Sequence, residues 1–162
     1  MEIERKFLVR VLPENLNEFK HNEIIQGYIS TSPVIRIRRS DDLYKLTVKT
    51  SGLLAREEFE TDITKEQFDS LSKKVEGNII SKTRYKIPDG PYTIELDIFH
   101  NLFDGLLYAE VEFPDLEAAA KYKPPVFFGR EVTNDQKYQN SSLTRMNVDD
   151  IGDFVRDCLA TS

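Results

Sequence analysis

The chain has 162 residues, enough for one domain with a real hydrophobic core, and its formal net charge of −6 without any run of lysine or arginine argues against a nucleic-acid or anionic-membrane partner. No apolar stretch approaches membrane-spanning length, and the acidic, mixed N-terminus does not read as a signal peptide. A single cysteine, Cys158, permits no internal disulfide and fits a reducing cytoplasm; its neighbours Phe154, Val155 and Leu159 make it a buried structural thiol, and His21 and His100, in loop-like surroundings without a cysteine partner, do not suggest zinc.

No repeat or linker divides the chain, so 1–162 reads as a single domain. In chain order, strands are predicted at 2–9, 24–31, 33–40, 43–50, 55–63, 79–87, 91–99 and 106–113. Turn chemistry separates several of them: Ser40-Asp41-Asp42, Thr50-Ser51-Gly52 and Pro88-Asp89-Gly90. Such short links imply antiparallel neighbours. Three segments read as helices. Thr64 to Gln67 forms a capping box ahead of Phe68, Leu71 and Val75, with Gly77 as the stop. Asp115 caps 116–122, which Pro124-Pro125 ends. The last helix, 150–159, places Ile151, Phe154, Val155, Cys158 and Leu159 on one face. All three apolar stripes are core packing.

Side chains at i and i+2 share a strand face about 7 Å apart. Read at that period, the strands give Glu2, Glu4, Lys6; Gln26, Tyr28; Arg36, Arg38; Lys45, Thr47, Lys49; Arg56, Glu58, Glu60; Lys82, Arg84, Lys86; Thr93, Glu95, Asp97; and Glu110, Glu112. A half-solvated sheet also alternates polar with apolar, but a solubility face mixes signs. Here bases fill strands three, four and six, and acids fill one, seven and eight. Like charges about 7 Å apart repel by about 2 kcal/mol at an effective dielectric of about 20, so their repetition points to counter-charges carried by a ligand. The fold expected is mainly β (α+β): eight antiparallel strands closed into a barrel, charged faces inward, helices outside. Such a tunnel has a carboxylate side suited to Mg²⁺ or Mn²⁺ and a cationic side suited to phosphate. A metal-bound polyphosphate satisfies both.

The residues that carry this pattern resemble a known family. Glu2, Glu4 and Lys6 match the E-x-E-x-K signature of the CYTH superfamily, the triphosphate tunnel metalloenzymes, at the N-terminus of a strand. Arg36-x-Arg38, Lys45 and Lys49, Arg56-x-Glu58-x-Glu60, Lys82-Thr83-Arg84-Tyr85, Glu95-x-Asp97, Glu110-x-Glu112 and Gly129 to Thr133 follow it, from residue 2 to about 143. The chain looks closest to the compact bacterial inorganic triphosphatases.

The resemblance implies that Glu2, Glu4 and Glu112 are the main ligands of two Mg²⁺ or Mn²⁺ ions, assisted by Glu110 and Asp97. Lys6, Arg36, Arg38, Lys45, Lys49, Arg56, Lys82 and Arg84 would hold the phosphate chain, with Lys137 as a late basic residue. Glu58, Glu60 and Glu95 would hold the bases in place or help a second metal. Glu4, Tyr28 and Lys82 are the catalytic candidates, Lys82 lowering the Tyr28 phenol's pKa for proton transfer. The expected reaction is hydrolysis of tripolyphosphate to pyrophosphate and phosphate by a cytoplasmic monomer or homodimer. Thiamine triphosphatase, nucleoside triphosphatase and class IV adenylate cyclase use the same tunnel and are the alternatives. A non-catalytic polyphosphate or nucleotide sensor is another, although anion binding alone needs only the cations.

Overall fold

The structure is a computed structural model that describes residues 2–50 and 57–162. In chain order it contains β1 (Glu4–Val9), β2 (Lys20–Thr31), β3 (Val34–Ser40), β4 (Leu43–Lys49), β5 (Glu58–Asp62), α1 (Lys65–Ser72), β6 (Glu76–Asp89), β7 (Tyr92–His100), β8 (Leu107–Glu112), α2 (Leu116–Lys121), β9 (Phe128–Glu131), α3 (Asn140–Arg145) and α4 (Val148–Thr161), with short 3-10 turns at Leu16–Glu18, Asn101–Phe103 and Gln136–Tyr138. No described helix is long and apolar enough to cross a membrane.

The strands form one antiparallel sheet in the order β5-β4-β3-β2-β6-β7-β8-β1-β9. The mainly β, antiparallel architecture is the expected one. Two details differ: there are nine described strands rather than eight, and among the described residues the hydrogen-bonded ladder does not join its edges, β5 and β9. The sheet nonetheless curls until side chains meet across it, because Lys49 of β4 reaches Glu2, just before β1, at 3.2 Å. β9 pairs with β1 only irregularly, with a register shift between Phe7 and Val9. Beyond it Val132 N–H donates to the Lys6 carbonyl at 2.8 Å, and the chain turns along the sheet edge. The two histidines expected in loops lie on strands: His21 in β2, and His100 at the end of β7, where its Nε2 contacts Thr83 Oγ1 at 2.7 Å.

Two apolar clusters fix the curl. On the outer face, Ile3, Phe7, Ile94, Leu96, Ala109, Val111 and Phe113 pack beneath Ala119 of α2 and Phe128. At one end of the inner face the period-two register stays the same but the residues turn apolar. Leu8 follows Lys6, Phe99 follows Asp97, Tyr108 precedes Glu110 and Ile80 precedes Lys82, and all four pack with Tyr138, Leu143, Ile151, Val155 and Cys158. The C-terminal helices therefore seal one end of the curled sheet. Burial of this kind stabilises by about 25 cal/mol per Å² of apolar surface, and it also pushes the Cys158 thiol up to about 11.

Local signals set the helix starts. Thr64 Oγ1 accepts from Gln67 N–H at 3.1 Å and Gln67 Oε1 accepts from Thr64 N–H at 2.9 Å, a complete capping box. Asp115 caps α2 by accepting from Ala118 N–H at 2.7 Å. Helix α1 ends at Ser72, short of Gly77, which lies inside β6 with φ +76°. A Cβ at Gly77 would press into the Thr144 carbonyl oxygen of α3, so this glycine lets α3 sit against the sheet. Gly77→Ala is expected to destabilise the fold by about 2 kcal/mol or more, combining left-handed strain with that clash. A denaturant midpoint equal to wild type would show that α3 moves away without cost.

Candidate active site

The curled sheet encloses a cavity of about 210 Å³. The period-two positions meet there as the strand geometry requires. Glu2, Glu4, Lys6, Tyr28, Arg36, Arg38, Lys49, Glu58, Glu60, Arg84, Glu95, Glu110 and Glu112 all line it. Pairing of β1 with β8 sets Glu4 opposite Glu112 and Lys6 opposite Glu110. Pairing of β2 with β3 sets Tyr28 opposite Arg36.

Four expected residues sit elsewhere. Asp97 and Lys82 are fully buried beneath the lining. The Lys82 ammonium donates to Asp97 Oδ2 at 2.7 Å, and Arg84 clamps the same carboxylate through Nε to Oδ1 at 2.8 Å and Nη2 to Oδ2 at 2.9 Å. Both Asp97 oxygens are thus engaged by cations, which makes the residue a support for Arg84 rather than an open ligand. Among the described residues no hydrogen bond joins Lys82 to Tyr28, whose neighbour across β2 and β3 is Arg36. Lys45 points to the rim, 3.3 Å from Glu60 and 3.2 Å from Asp62. Lys137 is exposed, its ammonium 5.1 Å from the Tyr138 ring centroid. Arg56 lies outside the described residues.

The segment after β9 supplies lining that the strand pattern does not reach: Val132, Thr133, Asp135, Gln139, Asn140 and Ser141. These residues fall in a turn and at the start of α3, where no periodicity marks a face. The run of hydrogen-bonding side chains Gln139-Asn140-Ser141-Ser142 is the only local signal.

The cavity is electrostatically divided. Among the carboxylates, Glu4 is pushed up to about 8, first by the charge of Glu110, then by burial and by Glu2. Burial alone would raise Glu110 too, but Lys6, 3.4 Å away, and Arg84 hold it down at about 2. Glu112 is raised by burial and by the charges of Glu2 and Glu95, and Glu58 by burial and a hydrogen bond with Glu2. On the other side the cations are crowded. Burial, then Arg36 and Arg84, lower Arg38. Arg38 Nε donates to Gln26 Oε1 at 2.8 Å and Arg36 Nη2 to Thr47 Oγ1 at 3.3 Å. Arg36 Nε and Gln26 Nε2 are buried without a partner, and among the described residues neither arginine has an ion pair. Buried unpaired donors are costly, and of Arg36 and Gln26 only Arg36 lines the cavity.

An oxygen-only donor set suits a hard divalent cation. Among the described residues no three His, Cys, Asp or Glu side chains converge into a ready-made cage. Mg²⁺ rarely needs one, since it binds through one or two carboxylates together with substrate phosphates. The acid side, where carboxylates repel one another, fits such an ion.

Comparison with known proteins identifies the family and its relatives. The CYTH domain matches residues 1–139. An inorganic triphosphatase of Nitrosomonas europaea is 42% identical over 147 residues, covering 88% of this chain and 95% of the relative. One of Acetivibrio thermocellus is 40% identical over 124 residues, covering 74% and 78%. The crystal structure of the inorganic triphosphatase NE1496 superposes with a TM-score of 0.70 at 35% identity, covering 91% of this chain and 96% of that one.

Proposed function

The chain belongs to the CYTH domain family, and from that premise we propose that it is a divalent-metal-dependent triphosphatase that hydrolyses inorganic tripolyphosphate to pyrophosphate and phosphate. One observation carries the reading: a cluster of mutually repelling carboxylates faces buried Arg36 and half-buried Arg38, which among the described residues have no ion pair with a carboxylate. A metal-bound triphosphate supplies the missing partner to each side.

In this reading Glu2, Glu4 and Glu112, with Glu110, hold two Mg²⁺ or Mn²⁺ ions. Bound there, such ions neutralise phosphate oxygens and acidify a water. Arg36, Arg38, Lys6, Lys49 and Arg84 grip the non-bridging oxygens and orient the terminal phosphorus for in-line attack. They also stabilise charge developing on the pyrophosphate leaving group. Arg56 belongs to the same proposal by its place in the family pattern. Lys82 and Asp97 act from beneath, by holding Arg84. Glu58, Glu60 and Glu95 brace the cations, as Glu95 does by accepting from Arg84 Nη1 at 3.1 Å. The protein would work in the cytoplasm, which one buried thiol suits, as a monomer or homodimer.

Tyr28 lines the cavity and is buried. We assign it to proton transfer beside Arg38. Tyr28→Phe is expected to lower kcat at least about tenfold with an unchanged melting temperature. Unchanged turnover across the pH range would remove Tyr28 from the mechanism.

The organic ends of nucleotides and thiamine triphosphate favour aromatic stacking, and Tyr28 is the only aromatic side chain among the described lining residues. That supports the inorganic substrate. Phosphate release should be measured from tripolyphosphate, pyrophosphate, ATP and thiamine triphosphate, each with Mg²⁺, Mn²⁺ or EDTA. Metal-dependent release fastest from tripolyphosphate is expected. Metal-independent binding without release would instead identify a sensor, and cyclic AMP formation from ATP a cyclase.

A further inference from the structure

Asn140 opens α3 one residue beyond the family match, and it is half-buried in the cavity lining. Its Oδ1 lies 3.4 Å from the Lys82 ammonium. An ammonium has only donors to offer, so the carboxamide oxygen must face it and the orientation of the amide follows from chemistry. Lys82 cannot drift from this position. It is 0% exposed, held by Asp97 at 2.7 Å and 5.3 Å from the Phe99 ring centroid. With Oδ1 committed, the Nδ2 hydrogens are the polar end left for the cavity, and no described hydrogen bond uses them. The same cavity holds the unpartnered Nε of Arg36.

We propose that Asn140 is a substrate-binding residue of the triphosphate site, donating from Nδ2 to a phosphate oxygen while Lys82 fixes the orientation of its carboxamide. The proposal rests on reading the cavity as a triphosphate site. Asn140 is a neutral donor held in place before the ligand arrives, so it strengthens binding by geometry without adding charge. It also ties α3, which closes one end of the cavity, to the floor that carries Arg84.

The test compares wild type, Asn140→Ala and Asn140→Asp, with tripolyphosphate as the probe. Calorimetric titration in EDTA measures binding without metal, and phosphate release with Mg²⁺ or Mn²⁺ gives KM and kcat. Asn140→Ala is expected to raise both Kd and KM about tenfold or more, with kcat changed less, as for a lost hydrogen bond to a charged group. Asn140→Asp is expected to bind more weakly still, because a carboxylate presents an oxygen where the phosphate needs a donor, yet its melting temperature should not fall, since Lys82 keeps its acceptor. Kd and KM of Asn140→Ala within about twofold of wild type would overturn the proposal. Should that variant melt well below wild type, Asn140→Asp decides, and binding within about twofold would again overturn it. Wild type that binds tripolyphosphate but releases no phosphate would sink the hydrolase reading while leaving the Asn140 comparison decisive. Wild type that shows neither binding in EDTA nor phosphate release with metal would overturn both.

Discussion

Glu4→Gln is expected to reduce phosphate release from tripolyphosphate by about a thousandfold while raising the melting temperature of the metal-free protein. Both effects come from one cause. Glu4 sits among Glu2, Glu110 and Glu112, and the charge of Glu110, burial and the charge of Glu2 together push it up to about 8 from an ordinary 4.5. A carboxyl raised in the folded state ionises at the fold's expense. Without metal, stability is therefore lost as pH rises from 4.5 to about 8. Gln cannot ionise, so the variant keeps that stability, but it offers no carboxylate for a divalent ion and forfeits several kcal/mol of charge stabilisation in the reaction. Calorimetry in EDTA at pH 5 and pH 8 checks the first half: wild type should melt lower at pH 8, and the variant should lose less. Added Mg²⁺ or Mn²⁺ should restore wild type and leave the variant nearly unmoved. A variant that keeps full metal-dependent activity would remove Glu4 from the metal site.

Asp97→Asn is expected to cost the fold about 3–5 kcal/mol, because removing one partner of a buried ion pair leaves its cations uncompensated. Asp97 is 0% exposed and accepts from Lys82 at 2.7 Å and from Arg84 at 2.8 and 2.9 Å. At about 2–4 °C per kcal/mol for a chain of this size, the melting temperature should fall by about 10 °C. The loss depends on pH. Burial already lowers Lys82 to about 7 against the pull of Asp97, and without that carboxylate the ammonium is harder still to keep. A lysine lowered in the folded state costs stability as pH falls, so the deficit should be greater at pH 6 than at pH 9. Activity should fall as well, since Asn keeps one neutral acceptor where Arg84 and Lys82 share two charged oxygens. A destabilisation below about 1 kcal/mol would mean that Lys82 and Arg84 find other acceptors. Asp97→Ala, which cannot accept at all, should exceed Asp97→Asn.

The division of charge was legible in the sequence because a strand alternates its side chains with a period of two whatever the rest of the chain does. Glu4 and Lys6 in β1 with Glu2 just before it, Arg36 and Arg38 in β3, and Glu110 and Glu112 in β8 had to share faces, and they share the cavity. The capping box at Thr64 and the Asp115 cap were legible for a similar reason, being contacts over three residues. β9 was not: Phe128-Gly129-Arg130-Glu131 has no alternation long enough to read, and it is a strand only because β1 offers it an edge. The first four residues of β2, Lys20 to Glu23, read as a polar loop until β6 pairs with them, which is tertiary context overriding local preference. α3, built from Asn140-Ser141-Ser142-Leu143-Thr144-Arg145, has one strongly apolar residue and reads as a turn; burial of Leu143 against the sheet makes it a helix.

Depth was a second limit. Period two states which face a residue takes but not how far along the strand the cavity extends. Lys82 and Arg84 share a face, yet Arg84 lines the cavity while Lys82 lies beneath it, and Asp97 is drawn down with it. Lys45 shares a face with Lys49, but only Lys49 lies far enough in to meet Glu2, while Lys45 stays at the rim with Glu60 and Asp62. By itself, then, the sequence determined the antiparallel sheet, the two signs of its inner face and the kind of ligand that such a face invites, because these follow from local geometry and charge. Only the tertiary structure decided where the sheet stops closing, which charges reach the cavity and which hold others from below, and that Asn140 joins them. Those outcomes depend on curl, strand offset and the packing of the C-terminal helices, and all three are set by contacts between residues far apart in the chain.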